Sequence, residues 1–258
     1  MGSRLGSVLA WAFLGLVLLF LYVPLVPPVL RSFAGLPEGA GLFQHYAAIV
    51  EDLRLMRALR TSLVVGLLVA LITPILALLA AEAVRAWRVP RLIILILLIP
   101  LFVPGISMGV ATALFFQVLG LAPSLLTITT VQVLWALPFA FLVILTVMAS
   151  FDQVYLEAAY MSGAGRLRAF LEVELPQIRH GIIGAAVFSL IISFNETIRT
   201  SVVQGGRNTV QTYLWSQYQQ VGLGPSLFAL MTLMIAVTLA LLLLLALLDR
   251  RQRRHAGS

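Results

Sequence analysis

Residues Glu157 to Pro176 read EAAYMSGAGRLRAFLEVELP. This polar, glycine-punctuated stretch lies between two long apolar runs and carries acids and two arginines, Arg166 and Arg168, where its neighbours carry almost none. Glu157, Ala158 and Ala159 are good helix formers, and an acid near a helix start is favoured by the helix dipole. Gly163 and Gly165 interrupt that helix. The following LRAFLEVEL predicts a second short helix, which Pro176 is expected to end because proline cannot donate to the helical ladder. Small residues at Ala158, Ala159, Gly163 and Ala164 suit a knob that seats in a partner's cleft. The plainer reading is a solvated loop joining two spans.

Composition decides what surrounds this stretch. With 61% hydrophobic and 10% charged residues, the chain has far too little charge for a soluble surface. It is expected to be an all-helical integral membrane protein. Cysteine is absent, so neither disulfides nor thiol chemistry are available. All 17 basic residues are arginine. A Walker-type nucleotide loop needs lysine, so the chain carries no ATPase of that kind. A net charge of +7 raises nucleic acid as a partner, but the arginines flank apolar runs, where they report membrane topology instead.

Six spans are expected, since a bilayer core needs about 20 helical residues. They are residues 5–30, 62–84, 92–119, 125–149, 182–203 and 225–248, with the polar loop at 150–179 between the fourth and fifth. The first is too long for the apolar region of a signal peptide and ends in Pro24, Pro27 and Pro28 rather than a small-residue cleavage site. Between the first two spans, apolar Ile49, Leu53, Met56 and Leu59 form a stripe that predicts a surface-lying helix. The third span contains Pro100, Pro104, Gly105 and Gly109 and is expected to be kinked inside the bundle.

Two constellations within the spans raise chemistry. Gly105-Ile106-Ser107-Met108-Gly109 fits the nucleophile-elbow pattern, but that motif needs a strand-to-helix turn and a histidine within reach. His45, His180 and His255 all fall in or beside polar segments, which argues against an intramembrane hydrolase. The fifth span contains Asn195, Glu196 and Arg199. Charges there usually face the bundle interior or a wet cavity. Glu196 and Arg199, three apart on one helical face, either neutralise each other or line a pathway. Gln132 in the fourth span either lines the same pathway or hydrogen-bonds a neighbouring helix, the commoner use of a buried amide.

The order Glu157-Ala158-Ala159, three residues, Gly163, nine residues, Val173, one residue, Leu175-Pro176 resembles the EAA loop of bacterial ABC importer permeases position for position. The resemblance runs from about Ser62 through the sixth span and is nearest in character to the spermidine and putrescine permease group. It implies that Glu157, Ala158, Ala159, Gly163, Val173, Leu175 and Pro176 couple the chain to an ATPase dimer, which binds the ATP and magnesium; no cofactor is expected in this chain. It also implies a second permease subunit, more readily a homologue than an identical copy, and a periplasmic or lipid-anchored binding protein that delivers a small hydrophilic organic solute of the polyamine or opine kind. In the spermidine and putrescine permeases, paired acids tend to precede a threonine where this chain has Asn195-Glu196-Thr197. That departure, with Arg199 added, weighs against a polycationic solute.

Placing the N-terminus inside puts Arg4, Arg85, Arg88, Arg91, the loop arginines, Arg179 and the tail on the cytoplasmic side, eleven arginines against five outside. Both termini and the EAA-like loop are then expected in the cytoplasm of a bacterial inner-membrane protein. A secondary transporter or a membrane scaffold would share the composition, but neither needs a docking loop.

Overall fold

The computed structural model describes residues 2–36, 39, 41–87 and 90–256, without the side chains of residues 2–5 and 248–256. Glu38 and Arg88 therefore lie outside the described residues, as do the side chains of Arg4, Arg250, Arg251, Arg253, Arg254 and His255, on which part of the charge reading rests. Among the described residues every regular element is a helix. Five helices are long and apolar enough to cross a membrane, and a bent pair makes a sixth if counted as one span. The chain forms two compact units, Met1–Met56 with Gln217–Ala240, and Arg57–Ser216 with Leu241–Ser258.

In the first unit, α1 (Gly2–Tyr22) passes through a 3-10 turn (Val23–Leu25) into α2 (Val26–Arg31). Pro24 and Pro27 occupy first-turn positions, where a missing N–H costs nothing. Residues 6–31 thus stay helical over a membrane-crossing length. Phe33, Phe43 and Tyr46 stack beyond them, and Ser32 Oγ lies 2.8 Å from the Tyr46 hydroxyl. The expected surface helix is cut short. α3 (Gln44–Glu51) stops at Asp52, which is extended, and Asp52 Oδ1 accepts the N–H groups of Arg54 and Leu55 to start α4 (Leu53–Ala86). The phase of the stripe is lost at that cap: Leu55 and Ala58 are buried, while Leu53 and Met56 are exposed.

Two packed clusters lie in the second unit. Val65 and Val69 of α4 join Phe116, Ile128, Val131, Val133, Ala136 and Val203 in one cluster. A second cluster sets Ala77 and Ala81 of α4 against Phe141, Ile144, Ile178 and Ala185. The expected kinked third span is broken outright. α5 (Pro90–Phe102) and α6 (Gly105–Val118) meet at 105°. Pro104, at ψ 136°, leaves the helical region, and its ring disfavours helix at Val103. α7 (Leu125–Ala149) begins at a capping box in which Ser124 and Thr127 exchange side-chain to backbone hydrogen bonds.

The loop adds α8 (Val154–Met161) and α9 (Arg166–Ala169), then a π-helical turn (Phe170–Glu174) that runs directly into α10 (Leu175–Phe194). Pro176 therefore does not end the second loop helix. The turn is already widened, with the Leu175 N–H bonded to the Phe170 carbonyl, and Pro176 falls in the first turn of α10, where its lost donor is tolerated. The expected span 182–203 is likewise corrected: α10 reaches Phe194, the backbone breaks at 195–197, and α11 covers Ile198–Val203. α12 (Val210–Gln220) forms within what reads as a polar loop, and α13 runs from Pro225 to Ala256.

Candidate functional site

Two places bring the sequence-predicted residues together. In the loop, α8 ends in a Schellman arrangement: the Gly163 N–H bonds to the Tyr160 carbonyl, and the Ala164 N–H to that of Ala159. This requires Gly163 at φ +85°, a region a side chain rarely enters, and a Cβ there would meet nothing within 4 Å. The glycine is needed for its backbone and not for close packing inside the chain. Glu157 sits exposed in the first turn of α8 beside exposed Ala158, with Ala159 half-buried. Around them the loop exposes Val154, Tyr155, Met161 and Leu167, with Met161 91% exposed. Val173 and Leu175 are half-buried and Pro176 is exposed where the π turn enters α10. The tip of this firmly capped helix is therefore both exposed and apolar.

The second place is the break between α10 and α11. Glu196 and Arg199 are both buried, and the carboxylate closes on its neighbour twice: Oε1 accepts the Arg199 backbone N–H at 2.8 Å, and Oε2 accepts from Nη1 at 3.0 Å. The guanidinium carbon lies 3.5 Å from the centre of the Trp135 ring, and Nε points at Met108 Sδ. Its bed is made by missing side chains. A Cβ at Gly105 would come within 3.3 Å of the guanidinium, and one at Gly109 within 3.2 Å of the Arg199 backbone. Both glycines of the elbow-like pattern thus serve close approach of α6 to α11, with Ser107 exposed on a helix.

Gln132 is 1% exposed and fully engaged with neighbouring helices: its carbonyl accepts from Ser193 Oγ at 2.5 Å, and its amide donates to Thr200 Oγ1 at 2.9 Å. It bridges both sides of the break. Asn195 is exposed and donates back to the Ile191 carbonyl at 2.8 Å, ending α10.

Sequence reading passed over a third cluster. Arg85, at the end of α4, donates both Nη atoms to Glu174, Nη1 to Oε1 and Nη2 to Oε2, while Nη2 also reaches Glu82 at 2.6 Å. Glu174 is 1% exposed. Its sequence signal is a carboxylate set between Val173 and Leu175, where the loop gives way to the next apolar run.

The chain was compared with known proteins. Residues 1–254 match the family described as binding-protein-dependent transport system inner membrane component. The spermidine/putrescine transport system permease protein PotC of Haemophilus influenzae is 26% identical over 246 residues, covering 93% of this chain and 96% of that protein. The putrescine transport system permease protein PotI of Escherichia coli K12 is 26% identical over 229 residues, 84% of this chain and 82% of its own length. Among solved structures, a bacterial alginate ABC transporter in complex with its alginate pentasaccharide-bound periplasmic protein aligns over 97% of this chain and 94% of the matched chain, with a TM-score of 0.69 at 17% identity, a likeness of fold. With an all-helical membrane fold and a family match across nearly its whole length, the chain belongs to the inner-membrane components of binding-protein-dependent transport systems, the permease subunits of ABC importers, and is a transport subunit rather than an enzyme.

Proposed function

We propose that this chain forms half of the translocation pathway for a small hydrophilic organic solute, and that α8 and α9 dock it onto a separate ATPase. The observation that carries the docking reading is the loop itself: a rigidly capped helix tip, exposed and apolar, with Glu157, Ala158, Ala159 and Gly163 in it and Val173, Leu175 and Pro176 at its return into α10. On this reading an ATPase dimer binds ATP and magnesium and closes beneath the loop. A second permease chain, more readily a homologue than an identical copy, completes the pathway, and a periplasmic or lipid-anchored binding protein delivers the solute. Both termini and the loop then lie in the cytoplasm, in keeping with the arginine distribution.

The polyamine relatives favour a small aliphatic solute of the polyamine or opine kind. Glu196 and Arg199 stand beside the break at 195–197, where α6, α7, α10 and α11 converge. Because Arg199 already holds Glu196 and covers Trp135, that region offers a polycation no free carboxylate, which favours a zwitterionic or singly charged solute.

The absence of cysteine provides the test. A single Ser162→Cys change places one thiol on the exposed loop. With the neighbouring genes co-expressed, thiol cross-linking is expected to capture a soluble ATPase, with a yield that changes on adding ATP. A thiol that reacts freely yet captures no ATPase overturns the docking reading.

A further inference from the structure

We infer that Arg85 and Glu174 are a positioning pair that ties the loop to α4, so that a displacement of the loop is delivered to α4 as well as to α10. The inference rests on the docking reading and adds a non-covalent route out of the loop. Without it, the covalent paths out of the loop lead back into α7 and through the π turn into α10.

The two partners are 89 residues apart in the chain, and the contact is a two-point fork, each Nη nitrogen donating to one carboxylate oxygen. Such forks fix direction as well as distance. Glu174 is the last residue of the π turn, so the fork sits where the loop becomes the bundle. π-helical turns of this kind collect at functional positions. Around the fork, α4 and the loop stand apart across a cavity of about 950 Å³, bordered by Leu78 and Leu79 on one side and Tyr160, Leu167 and Phe170 on the other. The ion pair spans a gap that packing leaves open.

α4 is placed to pass the displacement on. It is one helix from Leu53 to Ala86, continuous through Pro74. Besides its packing in the two core clusters, α4 reaches the end of α10, where a Cβ on Gly66 would meet Leu190 Cδ1 at 2.9 Å and Phe194 at 3.4 Å, and the start of α12, where Ser62 Oγ accepts the Val210 N–H at 2.9 Å. From Arg85 to Gly66 is about 28 Å of helix. The loop is thus linked to the last turn of α10, which leads into the break, both along α10 itself and through α4.

The test uses the whole importer in lipid nanodiscs, with the binding protein purified from cells in its loaded state as the probe. The readout is the factor by which that protein stimulates ATP hydrolysis, which crosses the permease and needs no knowledge of the solute. Glu174→Gln is expected to lower the stimulation about tenfold, the size of a typical coupling between sites, while the Ser162→Cys thiol still captures the ATPase. Replacing the pair with Arg85→Cys and Glu174→Cys is expected to lower it equally, a short bis-methanethiosulfonate bridge to restore it, and dithiothreitol to abolish it again. A merely structural pair would not respond to bridging and reduction of a folded complex. Full stimulation in Glu174→Gln, or in the unbridged double variant, overturns the inference. If Glu174→Gln fails to accumulate, the bridged pair decides alone. Loss of ATPase capture by the otherwise unaltered loop points instead to failure of the docking reading.

Discussion

Arg199 and Arg85 both pair with buried carboxylates, and the two pairs differ in where the partner lies. Glu196 is three residues from Arg199 and holds it twice, through the backbone N–H and the side chain. That pair closes within one turn and neutralises a break in the bundle. Glu174 is 89 residues from Arg85 and belongs to another element. A pair closed on its own turn stabilises; a pair between elements can also carry movement. Stability and coupling therefore respond differently to loss of the same type of group.

The largest stability effect is expected at the local pair. Glu196→Gln leaves a buried guanidinium without its counter-charge, at a cost of about 3–5 kcal/mol. Thermal unfolding in detergent should show that loss, and the double change Glu196→Gln with Arg199→Gln should recover most of it. A double variant that folds normally and does not transport would give the pair a role in the pathway.

At the long-range pair the stability cost should be smaller, about 1–3 kcal/mol, because Glu82 remains beside Arg85 to share its charge. Here the same unfolding measurement and the stimulation assay should disagree, with a modest loss of stability against a large loss of coupling. Equal loss in both would erase the distinction between the two pairs.

The smallest effect is expected at Arg168 and Glu172, a 3.0 Å pair on the loop with both side chains more than half exposed. Glu172→Gln should change stability by less than about 0.5 kcal/mol and leave stimulation unaltered. It marks what an ion pair contributes when it is neither buried nor distant in the chain.

Legibility in the sequence followed the range of each interaction. The turn between α8 and α9 was readable because Gly163 serves a local backbone need, and the Glu196–Arg199 pair because a separation of three residues brings the two together even across the break. The break at 195–197 was not, since Ile182 to Val203 is apolar enough to read as one helix, and what stops it is Asn195 bonding back to Ile191. Pro176 misled for a related reason. Proline ends a regular helix, but the turn before it is already widened, a state that no local composition announces. Arg85 looked like a flank marking the membrane edge, and Glu174 like one more loop acid. Only folding shows that they meet, because their pairing depends on how α4 lies beside α7 and α10.

The π turn also acts as a phase adjuster. An α-helix advances about 100° per residue, so the extra residue between Phe170 and Leu175 sets the azimuth of the loop against that of the bundle. Ile178 and Ala185 keep their inward face while α8 and α9 are aimed separately. The loop beyond the π turn and the core face of α10 can therefore diverge independently, each to suit its own neighbour, while the count of residues in this one turn holds them in register.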